Sequence, residues 1–405
     1  MLDIKFIREN LKKVEEGAKN KGYKVDFKKL IDLDDRRKEL IQKIDGLRAE
    51  QKKIDQSQKE KGRELKEKIK KIEPELAKIE KNYQDLMFKV PNLPAKDVKV
   101  GRDEKENEVV KTVGKIRMKE GKDHLILGRA LDLIDTEASA ISSGSRFAYL
   151  KNQAVMLEFA LINFVFDLLT KEGFTPIIPP VLLKNEVARE TGYYEAGNDD
   201  SFYLRDVPLV LVGTSEHSVL AYHKNKVLAG SELPKRYAAF STCFRREAGS
   251  YGKDVKGILR VHQFDKVEMV SFCQPEKSEK ELEYLLSLEE KIMQNLAIPY
   301  QVVKMCTGDL GLPAAKKYDL EAWLPGQKRF RETHSTSNCT DFQARRLNIK
   351  YKAKEGNQYL HTLNGTAVAI GRMIIAILEN YQQEDGSVVI PQVLQRYCGF
   401  KKIAS

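Results

Sequence analysis

Two apolar stripes in the first ninety residues limit what the start of this chain can become. Leu30, Leu33, Leu40, Ile44, Leu47 and Ile54 recur at alternating steps of three and four, interrupted at that spacing only by Arg37 and Gln51. After a polar break around residues 56–63, a second series runs Leu65, Ile69, Ile72, Leu76, Ile79, Tyr83, Leu86. Such a period keeps each stripe on one side of a helix, and two helices joined by a short turn bury both stripes by lying antiparallel. About 25 residues per helix, at ~1.5 Å rise each, make an arm about 40 Å long. Gly46 weakens the first helix, and Pro74 is expected to kink the second or split it at Glu73. Residues 1 to about 24 read as a shorter amphipathic helix with Leu2, Phe6, Ile7, Leu11 and Val14 on one face.

Outside the stripes the arm is basic, with eleven lysines and arginines from Lys43 to Lys71. The whole chain carries 70 Lys+Arg against 59 Asp+Glu, a net +11, which admits an anionic partner such as RNA. Interspersed glutamates also allow the plainer reading, a solvated helix surface stitched by i,i+4 pairs. The five cysteines are scattered without a C-x-x-C pair, which argues against a disulfide framework and a structural zinc and fits a reducing compartment. No apolar run reaches the roughly 20 residues of a bilayer span, so the expectation is a cytoplasmic protein with no membrane partner.

Residues 91 to about 115 are rich in Pro, Gly and charge and read as a linker. Asp123 to Ile141 reads as helix or loop-helix. Phe147 is expected to open a helix, and the run from Met156 to Leu169 is apolar around much of its cylinder, so it must be buried in a core or against another subunit. It ends at Gly173, before Phe174 to Pro180.

From Phe240 to Val270 the pattern is strand, long charged loop, returning strand. Phe240 and Phe244 lead into Arg245 and Glu247, and Val261, Phe264, Val267 and Met269 mark the return. The loop holds Gly249, Gly252 and Gly257 and is too long for a tight hairpin; it forms a flap carrying Lys253 and Lys256. Such strands bring Arg245, Glu247, Phe264 and Glu268 to one cleft, a set that suits a nucleotide beside an ammonium group. Leu209 to His217 is a buried strand with Thr214, Ser215 and Glu216 at its mouth, and His217 reads as structural. Arg331 to Arg346 includes Glu332, Thr333, His334 and Ser335; a carboxylate and a hydroxyl are hard oxygen ligands of the kind Mg²⁺ takes. In the apolar helix read from Val368 to Leu378, Arg372 is costly to bury unless an anion meets it.

FRREAGSYG and RVHQFDKVEM resemble motif 2 of the class II aminoacyl-tRNA synthetases, and the wording is that of the bacterial-type seryl-tRNA synthetases. The helix and strand ending at Pro179-Pro180 resemble motif 1, and Leu360 to Glu379, with its Arg372, resembles motif 3. Together with the serine-specific text between them, these words cover nearly all of residues 145–400. The resemblance implies an α+β fold: an antiparallel-sheet class II catalytic domain (116–405), a linker (96–115) and an N-terminal antiparallel coiled-coil arm (1–95, hairpin about 27–90). It implies an enzyme that activates L-serine with ATP and passes it to the 3′ end of tRNA(Ser), with tRNA(Sec) a second candidate, working as a homodimer through motif 1. The arm would grip the variable arm of the tRNA.

By the same resemblance Arg245 meets the α-phosphate and the substrate carboxylate, and Arg372 the γ-phosphate. Glu332 and Ser335 hold ATP-bound Mg²⁺, and Phe264 stacks on adenine. Arg246, Glu247, Val261, Thr333 and His334 also lie on ATP, while Thr214, Ser215, Glu216, Glu268 and Thr366 hold serine. Ser215 stands where the family has alanine, His334 where a smaller residue is usual, and Thr366 where many relatives have serine. Two alternatives stay open: a relative that loads a small amino acid onto a carrier protein, and a non-catalytic RNA-binding paralogue. The arm speaks against the first, and the retained Arg245, Glu332 and Arg372 against the second.

Overall fold

The computed structural model describes residues 1–405 except 55–57, 117, 119, 195–199, 249–255 and 405. Two compact units divide it, Met1–Leu93 and Pro94–Ser405.

In the first unit, helices α1 (Ile4–Glu9) and α2 (Leu11–Asn20) break at Asn10, where a single helix was expected. Two long helices follow, α3 (Phe27–Gln51) and α4 (Lys59–Lys89), packed side by side. Leu30, Leu40 and Ile44 of α3 and Leu65 and Ile69 of α4 are buried, as the stripes require. Arg37 interrupts the stripe because its guanidinium lies 4.5 Å from the Tyr83 ring centroid while also bonding Asp34. Asp34 has a fully buried side chain, which also pairs with Arg8 and Lys38. α4 runs unbroken through Pro74, against expectation. Pro74 and Lys70 are both exposed, so the carbonyl that loses its helical donor lies on the solvent side of the helix. All eleven basic residues from Lys43 to Lys71 are exposed.

The second unit is built on an eight-stranded sheet. In chain order its strands are β1 (Glu108–Val113), β2 (Thr175–Ile177), β3 (Lys235–Phe244), β4 (Gln263–Cys273), β5 (Tyr300–Lys304), β6 (Lys316–Leu324), β7 (Arg329–Asn338) and β8 (His361–Ala369). Their order in space is β1-β5-β6-β7-β8-β4-β3-β2, antiparallel except where β2 joins β3. The stretch read as a linker is thus partly sheet: β1 pairs with β5, and Val98 packs against Val303 and Met305. Its Pro, Gly and charge content reflects an edge strand, whose outer side chains meet water.

Helix α5 (Gln153–Lys171) begins later than Phe147, because Tyr149–Leu150 is a short strand paired with Ile134–Asp135. By length and composition α5 is apolar enough to cross a membrane, more than the sequence reading allowed. Its Leu157, Leu161, Val165 and Leu169 are fully buried in the main core. Thr214 caps α6 (Ser215–Tyr222), and α7 (Ser278–Asn295) lies against β7 and β8. β8 runs two residues past Ala367 before α8 (Ile370–Tyr381) begins, so Val368 belongs to the strand. A Cβ on Gly365 would meet Glu289 of α7, Thr336 and Met269, so these residues point to the helix side. By alternation their neighbours Thr366, Ser335 and Glu268 point to the other face.

Candidate active site

Past the end of β3 the ladder continues through Arg245, whose N–H donates to the His262 carbonyl at 2.9 Å. This holds Arg245 over the returning strand, with its guanidinium 5.3 Å from the Phe264 ring centroid and Nε donating to the Gly213 carbonyl at 3.2 Å. Glu247 takes a left-handed backbone conformation (φ 51°), rare for a residue with a side chain, and its carbonyl accepts from Arg146 at 2.9 Å. Its carboxylate lies 3.4 Å from Arg260.

Two irregularities in the sheet aim the next groups. Along β6 and β7, Leu320 pairs with His334 and Glu321 with Glu332, leaving Thr333 as an extra residue. That bulge puts Glu332 on the same side as Thr333 and Ser335, which strict alternation forbids. Along β8 and β4, Thr366 opposes Glu268 and Val368 opposes Val267, leaving Ala367 extra. Arg372, in the first turn of α8, donates to the Glu332 carbonyl at 3.0 Å and lies 3.1 Å from its carboxylate. Burial alone would raise the Glu332 carboxyl, but Arg372 and Lys317 outweigh it and hold it down at about 2.

Two adjoining cavities result. One of about 80 Å³ is lined by Arg245, Glu247, Val261, Phe264, Glu332, Thr333, Ser335, Thr366 and Arg372 among others. A second, of about 300 Å³, takes Thr214, Glu216, Glu268, Tyr193 and His217. Arg245, Lys266, Glu332 and Ser335 line both. In the second cavity Glu216 accepts from Gln343 at 2.7 Å and from Tyr193 at 3.4 Å. Burial and the nearby Glu268 push its carboxyl up to about 7. His217 faces Tyr194 at 2.7 Å through Nδ1, and burial keeps it neutral, far below the usual histidine range.

The side chains of three expected site residues line neither cavity. Ser215 is fully buried and donates to the Ala239 carbonyl at 3.0 Å, because the first turn of α6 aims it at β3. His334 alternates to the opposite face from Thr333 and Ser335, is buried, and is held near 4 by that burial. Arg246 is exposed beside Arg245. Thr366, expected at the serine, lines the first cavity instead. The flap residue Lys256 is exposed; Lys253 lies outside the described residues.

Sequence reasoning passed over Lys266, Gln343, Tyr193 and Lys317. Lys266 was legible: it stands two before Glu268 on a strand, hence on the same face. Gln343 and Lys317 reach the site only through long-range packing.

One cavity carrying three arginines, Arg245, Arg260 and Arg372, with a low-pKa carboxylate and an aromatic ring suits a polyphosphate nucleotide. Its neighbour, with two buried carboxylates and two lysines, suits a small zwitterion. The Mg²⁺ that such a nucleotide carries fits the donor chemistry here: Glu332 stays ionised and Ser335 lies on the same face one bulge away, two hard oxygens.

Residues 199–381 match the model of the tRNA synthetase class II core domain (G, H, P, S and T), and residues 1–94 that of the seryl-tRNA synthetase N-terminal domain. Serine–tRNA ligases of Dictyoglomus thermophilum and Treponema denticola are 47% and 44% identical to this chain, over all of it and 99% and 100% of their own lengths. The crystal structure of seryl-tRNA synthetase from Pyrococcus horikoshii complexed with ATP superposes with a TM-score of 0.90 at 40% identity, covering 100% of this chain and 99% of that one. A bundle of full-length likenesses at this level, on a sheet with this site, leaves one family: the chain belongs to the seryl-tRNA synthetases, class II ligases that join serine to tRNA at the expense of ATP.

Proposed function

We propose that the smaller cavity takes ATP and the larger one L-serine, with the reacting atoms meeting at Arg245. The observation that carries this is the shared wall: Arg245, Lys266, Glu332 and Ser335 line both spaces, so a carboxylate held in one lies beside a phosphate held in the other. Serine's carboxylate oxygen attacks the α-phosphorus, the bond to the bridging oxygen of pyrophosphate breaks, and seryl-adenylate forms. A hydroxyl of the tRNA's 3′-terminal ribose then attacks the seryl carbonyl and AMP leaves. The attacking carboxylate is already ionised, so positioning and charge neutralisation carry the first step.

Arg245 holds the α-phosphate and the incoming carboxylate. Arg372 holds the γ-phosphate, Phe264 stacks on adenine, and Glu247, Val261 and Thr333 complete the nucleotide side. Glu332 and Ser335 hold Mg²⁺, which when bound neutralises phosphate charge. Thr214, Glu216 and Glu268 take the serine ammonium and hydroxyl. A pocket that hydrogen-bonds the hydroxyl leaves buried groups unpaired with alanine, and its size excludes threonine.

The arm's exposed lysines and arginines fit phosphate contact with tRNA(Ser). Met156 and Phe159 are large apolar side chains exposed on α5, which fits a second subunit covering them in a homodimer. The working compartment is the cytoplasm. ATP–pyrophosphate exchange across an amino-acid panel, followed by charging of tRNA(Ser) and tRNA(Sec), tests the reading. Exchange driven by an amino acid other than serine overturns it. Serine exchange without tRNA charging points instead to the carrier-protein ligase.

A further inference from the structure

Lys266 is a buried ammonium that no step above uses. It stands on β4 two residues before Glu268, its side chain 7% exposed, and its Nζ forms a tight ion pair with the Glu268 carboxylate. It lines both cavities, so it occupies the wall where the two substrates meet. A lysine is costly to bury unless paired, and one placed here does more than fill space.

Of the carboxylates lining the serine-side cavity, two are buried, Glu216 and Glu268, each at most 3% exposed. Two like charges in one dry pocket disfavour each other, and the Glu268 charge does raise the Glu216 carboxyl. The Lys266 charge acts on the same carboxyl in the opposite sense. An α-ammonium entering between them needs an ionised partner, which a doubly acidic pocket resists supplying.

We propose that Lys266 is a positioning residue of the serine site: it cancels the charge of Glu268 so that Glu216 can ionise and take the α-ammonium. Serine binding is then linked to loss of the Glu216 proton. Arg245 after β3 and His217 on the Glu216 helix line the same cavity, and Tyr193, beyond the Asn185–Thr191 helix, donates to Glu216. Asp200, Lys317 and Glu332 also line this cavity. Tyr193 and His217 are both held uncharged by burial, so they add no compensating charge. Gln343 donates to Glu216 whatever the pH.

The inference rests on the serine reading of this cavity, and the test separates the two. In ATP–pyrophosphate exchange, the serine KM of the unaltered protein should rise as pH falls below about 7, by up to tenfold per pH unit. Lys266→Met should move that break to higher pH by about one unit or more, and Glu268→Gln should move it to lower pH. The ATP KM should stay within about threefold in both. A break that stays in place in Lys266→Met overturns the role of Lys266, as does a loss of kcat with the serine KM and its pH dependence unchanged. Should Lys266→Met fail to fold, Lys266→Gln removes the same charge and gives the same readout, and a break that stays in place there overturns the role. Glu216→Gln reports on the serine reading alone: a serine KM unaffected by it removes that reading, whereas a raised KM with unmoved breaks removes only the Lys266 inference.

Discussion

Arg372 and Glu332, forty residues apart, meet twice: one Nη1 donates to the Glu332 carbonyl at 3.0 Å and sits 3.1 Å from its carboxylate. The contact locks the first turn of α8 to the bulge in β7, so the group assigned to the γ-phosphate and the group assigned to Mg²⁺ orient one another. Glu332→Gln keeps the backbone bond but loses the charge. It should cost about 10²–10³-fold in exchange kcat while leaving the far-UV spectrum and melting profile near normal.

Arg245→Ala should abolish measurable ATP–pyrophosphate exchange without unfolding the protein. Among the described residues its side chain bonds the Gly213 carbonyl and covers the Phe264 ring, contacts worth little to stability. Near-normal exchange would remove the assignment of this arginine.

Glu216 ties stability to pH with a definite sign. Its folded carboxyl sits at about 7, above the unfolded value of 4.5, so its contribution is fully present below about pH 4.5 and lost as pH rises through 7. The full effect is about 3 kcal/mol. Glu216→Gln should therefore melt at a higher temperature than the parent at pH 8 and nearly match it at pH 4.5, in scanning calorimetry.

Two glycines should respond oppositely to alanine. Gly46 lies in α3 with no atom within 4 Å of an added Cβ, so Gly46→Ala should stabilise by about 0.5–1 kcal/mol. Gly365 would drive its Cβ to 3.0 Å from both Glu289 and Thr336, so Gly365→Ala should destabilise by about 1–3 kcal/mol. Denaturant titration of both variants checks the pair.

Deleting the hairpin from Leu30 to Leu86 should leave adenylate formation intact and cripple charging of tRNA(Ser). With the arm present, charging should weaken steeply as salt rises, since phosphate contacts release counterions. Charging that survives the deletion would show that the arm is not the tRNA grip.

What the amino-acid order alone determined were features with a local period. The stripes through Leu30 and Leu65 specify a paired-helix arm because every third or fourth residue must face one partner. The alternation through Phe264, Lys266 and Glu268 specifies one face of a strand. What only the tertiary structure decided were features set by a distant neighbour: the bulge at Thr333 that turns Glu332 toward the cavities, the opposite fate of His334, and the pairing of Glu108–Val113 with β5. A bulge is defined by the strand across from it, and an edge strand by what lies beside it. Neither the partner nor its register is written in the residues that respond to it, so a chain read locally yields faces, and the fold decides what they meet.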